Sequence, residues 1–438
     1  MKLSSNELRV MNMKKIRSMT VCIVSLGFIL GMGLIQSASA DSIVIHYIGE
    51  GNIGYVSDSN DIAISGNGDV ALTTKFGSTN AIHWTTLWKI PAVPVGAMTP
   101  TWNHSAGPFV YGYLYPSVSD DGHIMAVLEN RPNGILQCFG NASATALWNY
   151  SSSTGFGVGV KVSSNGEFIA FATQGEVTLF HHDGGLVWQK IISSPQSICI
   201  SGDGSVIAVG FSNGSIACFD NISSNPKWTS PVILAHSVTR IAISKDGSTI
   251  VAGCLENGPD VSAAVLDART GTVLWKRACH YCIDVAISAD GNRIFLTAWY
   301  LSFGAAMFAR NSNATLWEIQ TSAYGDSCDL SLDGKIAIFG GTKGNFYIVN
   351  GTSGHVFLNF TGPLAKRFND CAISDTGKSI VALSETGAFF MFRLEFPAPL
   401  GSTGDPFDLI QWILIGGLAA GLVIVTVVMV KKGKGRKG

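Results

Sequence analysis

Residues 197–211 read SICISGDGSVIAVGF, in which two apolar strands flank a serine and a turn that contains Asp203 and Gly204. The same pattern of apolar strand, serine, glycine turn and second apolar strand occurs eight times along the chain. Asp-Gly and Asn-Gly sequences suit tight hairpins because these turn positions need positive φ. The eight aligned glycines are Gly68, Gly122, Gly166, Gly204, Gly247, Gly291, Gly334 and Gly377.

The glycine turns recur at a nearly constant spacing. Their mean interval is about 44 residues, and six of the seven intervals lie between 38 and 44 residues. Periods of this size are typical of propeller blades. A second repeat of large aromatic residues, which we expect to pack against neighbouring sheets, runs out of phase with the turns. Its members are Trp102, Trp148, Trp188, Trp228, Trp275, Trp317 and Phe357.

Each repeat is long enough for four short strands, and strands from the two ends of the repeat region together complete the last blade. The first strand, near Ile43–Ile48, precedes the first glycine turn and has no blade of its own. The last repeat ends in AFFMFRLEF (388–396) and has no aromatic strand after it. Pairing these two strands closes a ring without exposed edges. We therefore predict an all-β protein with a single eight-bladed β-propeller over residues 41–396. The alternative has seven blades, with the divergent first repeat packed separately.

These repeats resemble the WD40-like and PQQ-like (quinoprotein-type) propeller superfamily. The segment VLDARTGTVLW (Val265–Trp275) is similar to the tryptophan-docking motif of quinoprotein propellers. The resemblance covers nearly all of residues 43–396, but it implies blades rather than a particular chemistry.

The resemblance also implies what a quinoprotein dehydrogenase would need: adjacent cysteines, a calcium ion held by acidic and amide groups, and a catalytic aspartate. This sequence has no adjacent cysteines and no D-x-D-x-D-G run. G-x-S-x-G, HExxH and phosphate-loop motifs are also absent from it. We therefore expect no enzymatic activity, no cofactor and no metal site. A quinoprotein-like enzyme and a hydrolase remain the alternatives.

The N-terminal segment 1–40 has the features of a secretory signal peptide. Basic residues at 14, 15 and 17 precede the apolar stretch Met19–Ile35. The small residues Ala38-Ser39-Ala40 then provide a cleavage site before Asp41. An uncleaved anchor helix is the alternative.

The C-terminal segment predicts a membrane anchor. Leu409–Val430 contains 22 residues without a charge, which at 1.5 Å per residue reach about 33 Å, enough to cross a bilayer. The basic tail 431–438 follows, and positive residues stay on the cytoplasmic side. We predict a single-pass type I protein of the cell membrane with an extracytoplasmic propeller. A Pro/Gly-rich stalk at 397–408 joins the propeller to the transmembrane helix.

Charge content limits the classes of partner. Only 13% of the residues are charged, which excludes a disordered or coiled-coil protein. Residues 41–408 carry 19 basic and 29 acidic side chains, a net charge of −10. An acidic body of this kind repels phosphate backbones, so we expect no nucleic-acid partner.

Charged residues begin or follow the start of several inner strands, where they are candidates for binding at the channel mouth. Two aspartates in this region could in principle cleave a glycosidic bond. The alternative is that these side chains hydrogen-bond to neighbouring blades or face water. The candidates are Asp61, Lys161, Arg240, Asp284, Asp326 and Asp370.

The eight cysteines beyond residue 40 mostly lie inside apolar strands, which favours buried thiols over disulfides. Cys279-His280-Tyr281-Cys282 resembles half of a zinc site, but no second CxxC accompanies it. In an extended strand these two cysteines would lie about 10 Å apart, so they can form a disulfide only across a turn.

Asn-x-Ser/Thr acceptors are frequent and predict a glycosylated surface. Together with the predicted anchor, they favour a non-enzymatic platform at the cell surface that binds a protein or glycan partner. A structural component of a surface layer is a further alternative. The acceptor residues are Asn103, Asn141, Asn149, Asn213, Asn221, Asn313, Asn350 and Asn359.

Overall fold

The structure is a computed structural model that describes residues 43–53, 61–75, 82–108, 113–255, 260–299, 304–321, 325–362 and 366–396. The predicted signal peptide, stalk, transmembrane helix and basic tail lie outside these ranges. Within them, no element is a helix with the length and hydropathy needed to cross a bilayer.

Eight sheets form the eight predicted blades, and seven of them consist of four antiparallel strands. Blades 1 and 2 contain β2 (Ile62–Ile64), β3 (Val70–Lys75), β4 (Ile82–Lys89) and β6 (Trp102–Pro108), then β7 (Leu114–Val118), β8 (Ile124–Glu129), β9 (Ile135–Gly140) and β10 (Ala146–Ser151). Blades 3 and 4 contain β11 (Gly157–Val162), β12 (Phe168–Thr173), β13 (Glu176–His181) and β14 (Leu186–Ile191), then β15 (Pro195–Ile200), β16 (Val206–Phe211), β17 (Ile216–Asp220) and β18 (Trp228–Thr229).

Blades 5 to 7 repeat this arrangement. Blades 5 and 6 contain β19 (Arg240–Ile243), β20 (Thr249–Gly253), β21 (Ala263–Asp267) and β22 (Val273–Arg277), then β23 (Cys282–Ile287), β24 (Arg293–Ala298), β25 (Ala305–Ala309) and β26 (Ser312–Ile319). Blade 7 contains β27 (Gly325–Leu330), β28 (Ile336–Gly341), β29 (Asn345–Asn350) and β30 (Val356–Thr361). The second strands β12, β20, β28 and β32 (Ser379–Ser384) are buried on both faces, as their apolar runs predict.

Blade 8 joins the two ends of the propeller, as predicted. β31 (Phe368–Ile373), β32 and β33 (Ala388–Glu395) come from the end of the ring, and β1 (Val44–Asn52) comes from its beginning. β1 and β33 are antiparallel from Val44 opposite Glu395 to Asn52 opposite Ala388. A short strand β5 (Gly96–Ala97), which the sequence pattern did not reveal, pairs in parallel with β1 as a fifth strand.

The glycine turns use a buried serine to complete their hydrogen bonds. In blade 4, the Ser201 hydroxyl donates to Asp203 Oδ1 (2.7 Å) and accepts from the Val206 N–H (3.0 Å). All eight aligned glycines have φ between 69° and 75°, as their turn position predicts. The serines that accept the equivalent N–H in the other turns are Ser65, Ser119, Ser163, Ser244, Ser288, Ser331 and Ser374.

A circle of backbone hydrogen bonds connects the eight turns. The Asp120 N–H donates to the Ser164 carbonyl (3.0 Å), and each following turn donates to the next in the same way. The circle closes where the Asp375 N–H of blade 8 donates to the Gly66 carbonyl of blade 1 (3.0 Å). The turns therefore form a continuous ring on one face, which we call the lower face. The inner strands begin at the opposite, upper face.

The repeated tryptophans connect the blades at their outer strands. The Trp188 Nε1–H donates to the Asp220 carbonyl of blade 4 (3.0 Å), and its ring stacks on Phe219. A Cβ on Gly271 would lie 2.7 Å from the Trp228 ring, so glycine is needed for this close approach. Every outer-strand tryptophan of the series donates to a carbonyl of the next blade, which confirms the predicted packing role.

We expect Trp188→Ala and Trp275→Ala to lower the free energy of unfolding by about 3–5 kcal/mol each, because both remove a buried ring and leave a cavity. Both side chains are only 7% exposed. Urea denaturation measures the change, and Leu186→Ala on the same strand as Trp188 is the control because Leu186 is 58% exposed. A tryptophan variant as stable as the Leu186→Ala control would contradict the packing role.

Candidate binding site in the central channel

Eight inner strands surround the central channel. Each inner strand contacts the inner strands of the two neighbouring blades, and the contact between β2 and β31 closes the circle. Side chains of these strands and of the lower-face turns therefore meet around the axis. The two ends of the channel differ in the groups that they present.

At the lower face, Lys245 crosses the channel. Its Nζ lies 2.6 Å from Asp375 Oδ2 and also contacts Asp120. Blade 5, which carries Lys245, is opposite blade 1, and the two aspartates belong to the blades that flank blade 1. A Cβ on Gly66 would lie within 2.8 Å of both carboxyl groups, and a Cβ on Gly202 would lie 2.3 Å from the Lys245 side chain. The two glycines leave the room that this ion pair needs to span the lower mouth.

The charge of Lys245 is stabilised by its two partners. Burial alone lowers the pKa of Lys245, but hydrogen bonds to Asp120 and Asp375 outweigh this and raise it above the ordinary value. The lysine therefore remains charged at neutral pH. One cation between two carboxylates holds three distant blades together across the axis.

Toward the upper face, aspartates connect neighbouring inner strands. Asp284 Oδ2 accepts from the Cys328 N–H (3.0 Å), and Asp370 Oδ2 accepts from the Ile62 N–H (2.8 Å). In both cases the acceptor belongs to one blade and the donor to the next. These contacts are of the inter-blade kind expected for polar residues where strands begin.

Asp61 and Asp370 form a carboxyl pair inside the channel. Their side chains are hydrogen-bonded to each other, which requires that one proton is held between them. Burial raises the pKa of Asp370 well above its usual range, and the charge of Asp61 raises it further. Burial and the neighbouring carboxyl group therefore favour the protonated form of Asp370.

Asp329 is a fourth carboxyl group in the channel, and nearby cations compensate its negative charge only in part. Its Oδ2 accepts from the Ile373 N–H (2.9 Å) of blade 8. Burial raises the pKa of Asp329 to about 7, backbone hydrogen bonds oppose the rise, and Asp284 contributes to it. Lys161 also lowers the pKa of Asp329, but more weakly. Asp329 thus titrates near neutrality, and its charge depends on the surrounding channel groups.

The channel is electrostatically divided. Asp284, Asp329, Asp370 and Asp61 come from blades 6, 7, 8 and 1 in succession. The cations Lys161 and Arg240 come from blades 3 and 5. Arg240 Nε lies 3.5 Å from Asp284 Oδ1, and its side chain remains 47% exposed. Positively and negatively charged side chains of the upper channel are therefore both accessible to water. Across the described ranges, no three His, Cys, Asp or Glu side chains are arranged to hold a metal ion.

The structure brings most of the predicted channel residues together. Asp61, Arg240, Asp284 and Asp370 each lie four residues before the serine of their own turn, which places them at one level of the ring. Lys161 lies two residues before its serine and interacts with Asp284 and Asp329.

Asp326 has different surroundings from the other predicted channel residues. It is a buried residue whose Oδ2 lies 2.8 Å from Arg367 Nε. Burial raises the pKa of Asp326 to about 6, although Arg367 and Trp299 oppose the rise. The neighbouring position Asp329, which the sequence did not single out, is the one that interacts with the other channel carboxyl groups.

The other predicted residues lie away from the channel. All eight described cysteines are buried. Among the glycan acceptors, Asn103, Asn149, Asn313 and Asn359 are exposed on outer strands, and Asn213 is exposed in a turn. The remaining acceptors are half-buried, and these are Asn141, Asn221 and Asn350.

The repeats and blades described above have counterparts among known proteins. Residues 132–359 match the family described as outer membrane protein assembly factor BamB (PQQ_2). The chain belongs to this family. The matched segment extends from blade 2 to blade 7, and it therefore includes Lys161, Arg240 and Asp284 as well as Lys245. No curated protein matches the chain.

Solved structures share the fold at low sequence identity. BamB from Moraxella catarrhalis is 14% identical, with a TM-score of 0.57 over 80% of this chain and 100% of that one. Sqt1 from Chaetomium thermophilum is 13% identical, with a TM-score of 0.62 over 79% of this chain and 97% of that one. Sqt1 bound to the N-terminus of the ribosomal protein L10 gives a TM-score of 0.61 at 13% identity, over 78% and 99% of the two chains. At this identity the likeness shows the propeller fold alone.

We expect Lys245→Met to lower the free energy of unfolding at pH 7 by roughly 1–3 kcal/mol, between the values for exposed and buried ion pairs. The substitution keeps most of the side-chain volume but leaves Asp120 and Asp375 facing each other without a cation. Urea denaturation measures the loss, and adding Asp375→Asn should restore part of it. Lys335→Met is the control, because Lys335 is 71% exposed. Equal effects of both lysine variants would refute the bridging role.

The stability effect of Asp329→Asn should depend on pH. The pKa of Asp329 rises from about 3.9 in the unfolded chain to about 7 in the folded one. The folded state therefore binds more protons between these values, and the wild-type contribution is lost as the pH rises through this window. Asparagine keeps an oxygen for the Ile373 N–H but does not titrate. The melting temperature of the variant relative to wild type should thus be higher at pH 8 than at pH 4.5, and a constant difference would contradict the assignment.

Proposed function

We propose that this chain is a non-enzymatic platform that binds a protein partner at the upper mouth of its central channel. The observation that carries the proposal is the difference between the two channel ends. Lys245 spans the lower mouth with Asp120 and Asp375, whereas Arg240 and Lys161 remain exposed at the upper part. Side chains of the upper channel are therefore the more accessible to a partner segment, because those at the lower mouth already pair with one another.

The rigidity of the ring favours recognition. The closed circle of turn hydrogen bonds and the β1–β33 pairing hold the inner strands in fixed positions before any partner arrives. A surface that is already ordered loses little conformational entropy on binding. Charges of both signs at the upper channel then select a partner segment with complementary charges.

Related proteins support a protein partner. The family takes its description from an outer membrane protein assembly factor, and one solved propeller of the same fold is bound to the N-terminus of a ribosomal protein. These descriptions apply to the related proteins. They support a peptide segment as the occupant of the channel in this chain. A glycan is the alternative partner that the sequence suggests.

The geometry of the carboxyl pair favours binding over hydrolysis. Glycosidases keep their two carboxyl groups about 5–9.5 Å apart so that the scissile bond fits between them. Asp61 and Asp370 are instead hydrogen-bonded to each other. This pair supports the structure of the channel rather than the chemistry of a glycosidase.

We further propose that the propeller is displayed outside the cell by the predicted signal peptide and the helix at 409–430. Exposed Asn-x-Ser/Thr acceptors on the outer strands support this location, because bulky glycans fit on these rims without blocking the channel. In this arrangement the propeller acts as a single-pass type I receptor or assembly platform.

The proposal predicts that Arg240 lies next to the partner and that Lys335, on the lower-face turn of blade 7, does not. Arg240→Cys and Lys335→Cys each place one exposed thiol in a chain whose other described thiols are buried. A membrane-impermeant maleimide carrying a photo-activated group is attached in intact cells of the native host. We expect both variants to be labelled, and only Arg240→Cys to give a discrete cross-linked adduct.

The two parts of the proposal fail in different ways. Absence of labelling in intact cells, with labelling after permeabilisation, would overturn the extracytoplasmic location. Partner cross-linking is then read in the permeabilised cells. Labelling without an adduct at residue 240, or equal adducts from both positions, would overturn the upper mouth as the binding site.

A further inference from the structure

Cys279 and Cys282 flank a sharp reversal of the chain between β22 and β23. The two residues between them are left-handed, with φ of 45° at His280 and 59° at Tyr281. Two consecutive left-handed residues at a bend reverse the chain as in an open β-turn, in which the flanking Cα atoms lie within about 7 Å. This separation is compatible with a disulfide, which an extended strand would not allow.

The two thiols meet inside the protein. Both cysteine side chains are fully buried, and each thiol affects the pKa of the other. The Cys279 N–H donates to Ser262 Oγ (2.9 Å), which also lies 3.3 Å from Cys279 Sγ. The Cys282 N–H donates to the carbonyl of Cys254 (3.2 Å). Neighbouring strands therefore hold both cysteines in position.

The turn between the cysteines has an unfavourable backbone. Left-handed φ is sterically costly for residues that carry a Cβ, and such conformations persist where the surroundings enforce them. Among the described residues, Ser194 is the one other non-glycine residue with positive φ. A covalent link between the flanking residues would fix the reversal at His280 and Tyr281 without requiring glycine.

We propose that Cys279 and Cys282 form an intrachain disulfide in the mature protein. The oxidant is an external disulfide, and the reaction takes place while the turn is still open during folding. The Cys279 thiolate attacks one sulfur of the external disulfide and releases one thiolate. The Cys282 sulfur then attacks Cys279 Sγ and releases the second thiolate. Two S–H bonds and one S–S bond are replaced by one S–S bond and two external thiols, which take up both protons.

The folded environment makes the two thiols unequal. Interaction with Cys282 lowers the pKa of Cys279, with further help from Ser262 and Arg277 against the opposing effect of burial. The pKa of Cys282 is raised well above its usual range. In the folded turn Cys279 is therefore the more acidic thiol of the two.

Another pair of cysteines provides a matched control. Cys199 and Cys218 are also buried, but both face Ala208 from the two sides of strand β16. Two strand spacings separate them by about 10 Å, which exceeds the reach of a disulfide. Their thiols should therefore stay reduced under conditions that oxidise Cys279 and Cys282.

Peptide mass spectrometry distinguishes these states, because trypsin places each pair in one peptide. Ala278–Arg293 contains Cys279 and Cys282 and no other cysteine, and Ile191–Lys227 contains the control pair. The full chain is made in a bacterial cell-free system with detergent, which avoids N-glycans. Synthesis takes place in a buffer of oxidised and reduced glutathione or in dithiothreitol. The folded fraction, selected by brief proteolysis, is then denatured, alkylated without reduction and digested.

We expect Ala278–Arg293 from the glutathione sample to lack both alkyl groups and to be lighter by two hydrogen atoms, while Ile191–Lys227 carries two. The dithiothreitol sample should carry two alkyl groups on each peptide. In Cys282→Ser, Cys279 should be alkylated or joined to glutathione. Two alkyl groups on wild-type Ala278–Arg293 in the glutathione sample, a bond to a different peptide, or equal oxidation of the control pair would each overturn the proposal.

Discussion

Antiparallel pairing between β1 and β33 is the interaction on which the rest of the structure depends. Without β1, blade 8 would contain three strands of its own and β33 would expose an unpaired edge. With β1 in place, blade 8 and blade 1 can meet, and the Asp375 N–H reaches the Gly66 carbonyl to complete the circle of turns. The channel, with its separate lower and upper mouths, exists because this ring is closed.

The repeated features could be predicted because each has its own local cause. Gly204 and its counterparts need positive φ, and Trp188 and its counterparts fill the same inter-blade space, so both recur in the sequence. Lys245 gave no such signal, because the equivalent turn positions hold residues as different as Gly202 and Leu332. Lys245 can bridge the channel only because blade 5 lies opposite blade 1 in the closed ring, which the sequence around Lys245 does not encode. Asp329 was missed for a related reason, since it lies two residues later in its strand than Asp61 does.

The charged side chains are distributed unevenly around the channel, so blades with the same fold differ in charge. Blades 6, 7, 8 and 1 contribute carboxyl groups, blades 3 and 5 contribute cations, and Lys245 pairs with two aspartates at the lower face. Burial is the main reason why the pKa values of Asp329 and Asp370 are raised, and neighbouring carboxyl groups add to the effect. A symmetrical scaffold thereby acquires one distinct site.

The separation of β1 from β33 along the chain has a consequence for biosynthesis. At roughly 5–20 residues per second, the roughly 340 residues between the two strands take tens of seconds to leave the ribosome. During that time β1 lacks its main partner β33 and can pair only with the two-residue strand β5, although Ile45 and Ile48 are buried in the finished protein. The nascent chain therefore exposes apolar side chains of β1 until the final blade emerges, which makes β1 a target for chaperone binding during synthesis.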